Sequence, residues 1–84
     1  MLGERRAAIL RLIIEYYIKT GEPIGSKTLC NLLPYAVSSA TIRNEMADLS
    51  NLDYLEQRHT SGVRLPGKNA YRFYVDQLME TKAL

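Results

Sequence analysis

Side chains able to serve as nucleophile, general base or soft metal ligand are scarce: the 84 residues hold one cysteine, Cys30, and one histidine, His59. A Cys–His nucleophilic pair needs the two groups within hydrogen-bond reach. Cys30 falls in a short helical segment and His59 on a hairpin tip, far apart in local structure. A structural zinc site takes four ligands, usually Cys and His in paired spacing, more than these two residues supply. Gly21 and Gly25 lie in a connector with no preceding strand and no following Lys-Ser/Thr pair, so they read as a cap and a turn rather than a phosphate cradle. The sequence therefore points away from an enzyme and implies no metal and no cofactor.

The stretch beginning at Ser38 offers different chemistry. Read as a helix, it puts Ala40, Arg43, Asn44, Ala47 and Asn51 on one face. Arg and Asn have the bidentate geometry that reads guanine and adenine edges in the major groove, and small residues beside them admit close approach. Ser38, Ser39 and Thr41 cluster at the start of that helix, where hydroxyls and unpaired backbone N–H groups hold phosphate oxygens. For Ser38 a capping role is favoured; Ser39 and Thr41 stay open between cap and phosphate contact. From Gln57 to Val75 nineteen residues contain no Asp or Glu, and they carry Arg58, His59, Arg64, Lys68 and Arg72. Such a segment is either a solvated loop or a basic surface for a polyanion.

The elements that must position these groups follow from periodicity. Ile9, Leu12, Ile13 and Tyr16 recur at helical spacing between Glu4 and Thr20, and Gly21 with Pro23 ends that helix. A second apolar row, Leu10, Ile14 and Ile18, runs beside the first. The helix is then either central and packed on two sides by its own domain, or it offers one row to a partner chain or a missing second domain. Ser26 is placed to cap a short second helix to about Leu33, with Leu29 and Leu33 inward and Pro34 ending it. After a turn from Pro34 to Val37, Ser38 opens the third helix, which runs to about Leu52 and buries Ile42, Met46 and Leu49. Two such helices joined by a short turn form a helix-turn-helix, the second being the candidate recognition helix. Tyr54 to His59 reads as a strand, Thr60, Ser61 and Gly62 as a turn, and Val63 to Leu65 as the antiparallel return, closed by Pro66 and Gly67. A fourth helix from about Asn69 to Thr81 would turn Phe73, Val75, Leu78 and Met79 inward. The order is that of a winged helix-turn-helix, mainly α with a small β-hairpin, with the acid-free segment on the wing.

Composition agrees with a single domain over 1–84. Apolar residues make up 46% and charged residues 24% of the chain, an ordinary globular balance, and the length suits one core. The longest apolar run is Ala7 to Leu10, far short of the roughly 20 residues of a membrane span, so no membrane partner is expected. The lone Cys30 fits a reducing compartment, hence a cytoplasmic location. A net charge of +2 is too small to argue from.

Val37 to Leu49 (Val-Ser-Ser-Ala-Thr-Ile-Arg-Asn-Glu-Met-Ala-Asp-Leu) resembles the N-terminal DNA-binding domain of the heat-inducible transcription repressors of the HrcA type, bacterial repressors of chaperone operons. Gly25 to Leu29, Tyr54 to Gln57, His59 to Ser61 and Tyr71 to Asp76 support the resemblance, which spans about Arg5 to Leu78. Gly62, Val63, Gly67, Asn69 and Ala70 depart from the family pattern around the wing. The resemblance implies an inverted-repeat operator in double-stranded DNA, occupied by a homodimer, with the chaperonin as modulator and a nucleoid-associated bound state. It also implies that the family's C-terminal dimerisation and sensing region is absent from these 84 residues, which leaves dimerisation weak or missing. The expected site is Arg43 and Asn44 on base edges with Ala40 and Ala47 beside them. Lys27, Thr28, Ser38, Ser39 and Thr41 lie near phosphates, and Arg58, His59, Thr60, Ser61, Arg64 and Arg72 serve on the wing and beyond. The rival from another class is a winged helix used for protein–protein interaction in a transcription complex. Acids or large apolar residues on the outer face of the third helix would favour it, and Glu45 and Asp48 lie toward its flanks.

Overall fold

The computed structural model describes residues 3–33, 36–57 and 64–83. Helix α1 (Glu4–Thr20) buries both of its apolar rows: Ile9, Leu10, Ile13 and Ile14 are all within 1% of complete burial. This decides between the two readings of the first helix. It is the central element, and Leu10 and Ile14 belong to the core rather than to a spare face; Ile18 alone of that row is exposed, at 57%. Gly21, at φ +73°, closes the helix, and its N–H donates to the Tyr17 carbonyl at 2.8 Å. A left-handed terminal residue of this kind satisfies a carbonyl that would otherwise be left unpaired.

Helix α2 (Ser26–Leu32) starts one residue earlier than a Ser26 cap would require. Gly25 is the cap: its backbone is extended, its carbonyl accepts the first helical bond from Leu29 N–H at 3.0 Å, and Ser26 is already helical. Leu29 and Leu33 face inward as expected. Helix α3 (Ser39–Asn51) buries Ile42, Met46 and Leu49, and Ser38 caps it by accepting from Thr41 N–H at 3.1 Å. Replacing such a cap by alanine typically costs about 1 kcal/mol.

The end of α3 is a tight reversal. Asp53 N–H donates to Ser50 O and Tyr54 N–H to Leu49 O, at 3.1 and 2.9 Å, with Asp53 itself at φ +65°. This paired closure is the Schellman arrangement, here with Asp in the left-handed position that glycine usually takes. It turns the chain directly into strand β1 (Leu55–Gln57), which pairs antiparallel with β2 (Arg64–Pro66) in the register Leu55 with Pro66, Glu56 with Leu65 and Gln57 with Arg64. The strand thus begins at Leu55, since Tyr54 is taken up by the helix closure. The return strand includes Pro66 at its end, where the missing N–H is tolerated.

Helix α4 (Lys68–Ala83) lies against α1 and both strands. Its inner face differs from the expected one. Ala70 is fully buried, Phe73 and Tyr74 pack on the core, and Gln77 is half-buried, a run at i, i+3, i+4, i+7. Arg11 Nη2 donates to Gln77 Oε1 at 2.8 Å, and Tyr74 OH donates to Glu15 Oε2 at 3.3 Å. The helix is therefore turned toward polar partners on α1, which leaves Val75, Leu78 and Met79 exposed, the last at 64%. Among the described residues no helix is long and apolar enough to cross a membrane.

Candidate nucleic-acid interface

Because Ile42, Met46 and Leu49 fix one side of α3 in the core, the opposite side is presented outward: Ala40, Arg43, Asn44, Ala47 and Asn51 are all exposed. The presented strip has no large apolar side chain, and its two functional heads sit between alanines, so a flat polar surface can approach the helix backbone. At the helix start Ser38 Oγ donates to Thr41 Oγ1 at 2.9 Å while accepting from Thr41 N–H. These two hydroxyls are engaged with each other and with the cap. Ser39 is exposed, 4.0 Å from the Cys30 sulfur. Lys27 and Thr28 are exposed in the first turn of α2, which packs against α3. Arg72 is exposed on α4 beside Tyr54, Asn69 and Asp76 at the root of the hairpin, set apart from the helix cluster. Arg58, His59, Thr60 and Ser61 lie outside the described residues, and of Arg64 only the backbone, in β2, is described.

One residue of this region was misplaced by sequence reasoning. Glu45 is not at an exposed flank of α3; it is 7% exposed and is the one buried charged side chain among the described residues. Two arginines from the first turn of α1 reach it. Arg5 Nε donates to Glu45 Oε2 at 3.0 Å, and Arg6 donates to Glu45 Oε1 through Nη2 at 3.1 Å and Nε at 3.3 Å. Arg6 Nη2 also donates to Asp48 Oδ2 at 2.8 Å. Burial alone would push the Glu45 carboxyl up. The hydrogen bonds from Arg5 and Arg6, with their positive charges, outweigh burial and hold it below the ordinary carboxylate value. The available signal was the spacing: Glu45 stands three after Ile42 and four before Leu49, inside the apolar stripe.

A long first helix, two helices joined by a turn, a two-stranded ribbon and a closing helix define a winged helix-turn-helix. Comparison with known proteins narrows the class. Over all 84 residues the chain is 52% identical to the heat-inducible transcription repressor HrcA of Clostridium perfringens (strain SM101 / Type A), covering 25% of that protein. It is 54% identical over 83 residues, 99% of this chain and 24% of the relative, to HrcA of Acetivibrio thermocellus, and 54% identical over its whole length to HrcA of Fructilactobacillus sanfranciscensis, covering 24% of it. A crystal structure described as that of a hypothetical protein superposes with a TM-score of 0.89 at 34% identity, over 96% of this chain and 25% of the other. No family model matches the sequence. Over its whole length the chain is similar to part of the HrcA repressors, and it spans about a quarter of the length of the curated relatives it matches.

Proposed function

We propose that the chain is the DNA-reading head of a heat-inducible transcription repressor, which acts by occupying an inverted-repeat operator upstream of chaperone genes. The presented strip of α3 carries this reading, being narrow, polar, alanine-lined and rigidly backed by the core. Laid in the major groove, it sets Arg43 against guanine O6 and N7 and Asn44 against adenine N6 and N7, while Ala40 and Ala47 let the helix sit deep. Ser39, with Lys27 and Thr28 of α2, takes the flanking phosphates; Ser38 and Thr41 contribute by holding the helix start in shape. Arg58, His59, Thr60, Ser61 and Arg64 serve as the wing's contacts, and Arg72 meets the backbone beyond it.

The family resemblance adds a homodimer on the two-fold operator, modulation by the chaperonin, and a cytoplasmic, nucleoid-associated setting. The protein-interaction alternative gains little from the outer face of α3, where the exposed acid Asp48 is already engaged by Arg6. Footprinting on duplexes bearing candidate inverted repeats tests the reading, together with a salt titration. Each phosphate neutralised by Lys or Arg contributes a log–log slope of about −0.9. Three to five such contacts per head are expected from the cations named, and a slope shallower than about −2 refutes duplex binding through the backbone.

A further inference from the structure

Glu45 stands three after Ile42 and four before Leu49, within the apolar stripe of α3 where a hydrophobic residue would be expected. Replacing a buried ion pair by well-packed apolar side chains is often neutral or stabilising, so thermodynamic stability alone is a poor reason for three interlocked charges at the α1–α3 junction. What the carboxylate supplies is direction. Apolar contacts are non-directional, whereas the fork formed by Arg5, Arg6 and Glu45 holds only over a narrow range of distances and angles. Glu45 is the residue after Asn44 and the second after Arg43, on the same rigid helix. Its azimuth therefore fixes theirs. A roll of α3 by about 20° moves a side-chain tip some 5–6 Å from the axis by roughly 2 Å, enough to break a bidentate base contact.

The network also borders the presented strip. Asp48 stands one turn after Asn44 on α3, and Arg6 bridges it to Glu45 at 2.8 and 3.1 Å. Two guanidiniums are thus parked at the Asn44 edge of the helix, each facing a carboxylate.

We infer that Glu45 is a positioning residue of the recognition helix: by gripping Arg5 and Arg6 it sets the roll of α3 that aims Arg43 and Asn44, and together with Asp48 it withholds both guanidiniums from phosphate. The inference rests on the DNA-reading role proposed above. It makes a pattern that loss of stability does not produce. In Glu45→Gln the helix is freed to roll and Arg5 is released beside the groove while Asp48 still holds Arg6, so sequence discrimination falls while attraction to any duplex rises.

The test compares the unmodified chain, Glu45→Gln and Arg6→Gln on two probes, the duplex that the unmodified chain selects from a random pool and a scrambled duplex of equal length. Binding is measured across a salt series at a temperature where circular dichroism shows each protein folded. For Glu45→Gln the selected-to-scrambled affinity ratio is expected to fall by roughly 5- to 150-fold, the size of one lost base contact, and the salt slope to steepen by about 0.9 per recruited phosphate contact. Arg6→Gln, which leaves Glu45 paired to Arg5 and keeps the experiment decisive if Glu45→Gln does not fold, should lower the ratio without steepening the slope. A ratio and slope at the unmodified values in folded variants would overturn the inference, as would a shallower slope in Arg6→Gln, which would make Arg6 a phosphate contact already. If the unmodified chain selects no duplex, the DNA-reading role fails first and the inference falls with it.

Discussion

Arg43→Ala separates reading from anchoring, and the structure allows its size to be worked out beforehand. Arg43 is exposed in the middle of α3, and no hydrogen bond or ion pair ties it to any other described residue. Alanine is at least as good a helix former, and a surface change away from caps and core stays within about 0.5 kcal/mol of neutral. Unfolding should therefore be unchanged within about 2–4 °C of the midpoint. Whatever affinity is lost must come from DNA. A bidentate arginine–guanine pair discriminates by roughly 1–3 kcal/mol, which is about 5- to 150-fold in Kd. The loss should appear on the selected duplex and shrink to the value of one phosphate-scale charge on scrambled DNA. Fluorescence anisotropy with both duplexes at fixed salt measures it, with Arg64→Ala from the wing as the comparison that should weaken both alike. Equal losses on the two duplexes for Arg43→Ala would refute the base-reading role and make Arg43 a backbone contact.

Asp53→Gly should stabilise the fold by roughly 0.5–1 kcal/mol, because the residue at φ +65° carries a Cβ that glycine lacks; a lowered melting temperature would contradict this. The Glu45 carboxyl is depressed in the folded chain, so its stabilisation is complete above the unfolded value of about 4.3 and is lost as pH falls through the lower folded value. The melting-temperature gap between the unmodified chain and Glu45→Gln should accordingly stay constant from neutral pH to about 5 and narrow only below about 4. A gap that closes near pH 6 would show that another group governs the junction. With Leu10 and Ile14 consumed by the core, the exposed large apolar residues among those described are Ile18, Leu32, Leu52, Tyr71, Val75, Leu78 and Met79. Obligate dimers bury about 2,000 Å² or more, so sedimentation equilibrium at micromolar concentration should find a monomer or weak dimer, and a tight dimer would refute this.

How much of this was legible in the sequence depended on whether one physical rule acted alone. The ends of α1 and the start of α3 were readable because Gly21 and Ser38 each meet a local backbone need that no distant contact alters. The presented strip of α3 was readable because Ile42, Met46 and Leu49 leave its opposite side only one direction to face. The inner face of helix α4 was not legible because tertiary partners on α1 override side-chain type there. Its apolar residues Val75, Leu78 and Met79 lost the inner face to Ala70, Phe73, Tyr74 and Gln77, whose small size or polar ends fit α1. Glu45 was misjudged for the same reason in reverse. A charge is placed outside by default, and only the arrival of Arg5 and Arg6, some forty residues earlier in the chain, makes burial possible.

Helix α3 is consequently held at three separate points, and each has a different partner. Ser38 fixes its start through Thr41, Glu45 fixes its middle through α1, and the reversal at Asp53 fixes its end to the hairpin. The third junction extends further. Gly67 N–H donates to the Tyr54 carbonyl at 2.8 Å, and a Cβ on Gly67 would lie 3.2 Å from the Asp53 carbonyl oxygen. Glycine suits that close approach, since a Cβ would press on the Asp53 carbonyl, and no left-handed dihedral is involved. Three residues, Asp53, Tyr54 and Gly67, thus tie the end of α3, the root of the ribbon and the start of α4 into one knot of backbone. A junction of this kind cannot tilt the β1–β2 ribbon without dragging the end of α3, so a displacement of the start of α4 reaches both elements together. In the proposed DNA-reading role that shared junction keeps base contacts from α3 and backbone contacts from the ribbon in one register, since backbone contacts fix register and base contacts depend on it.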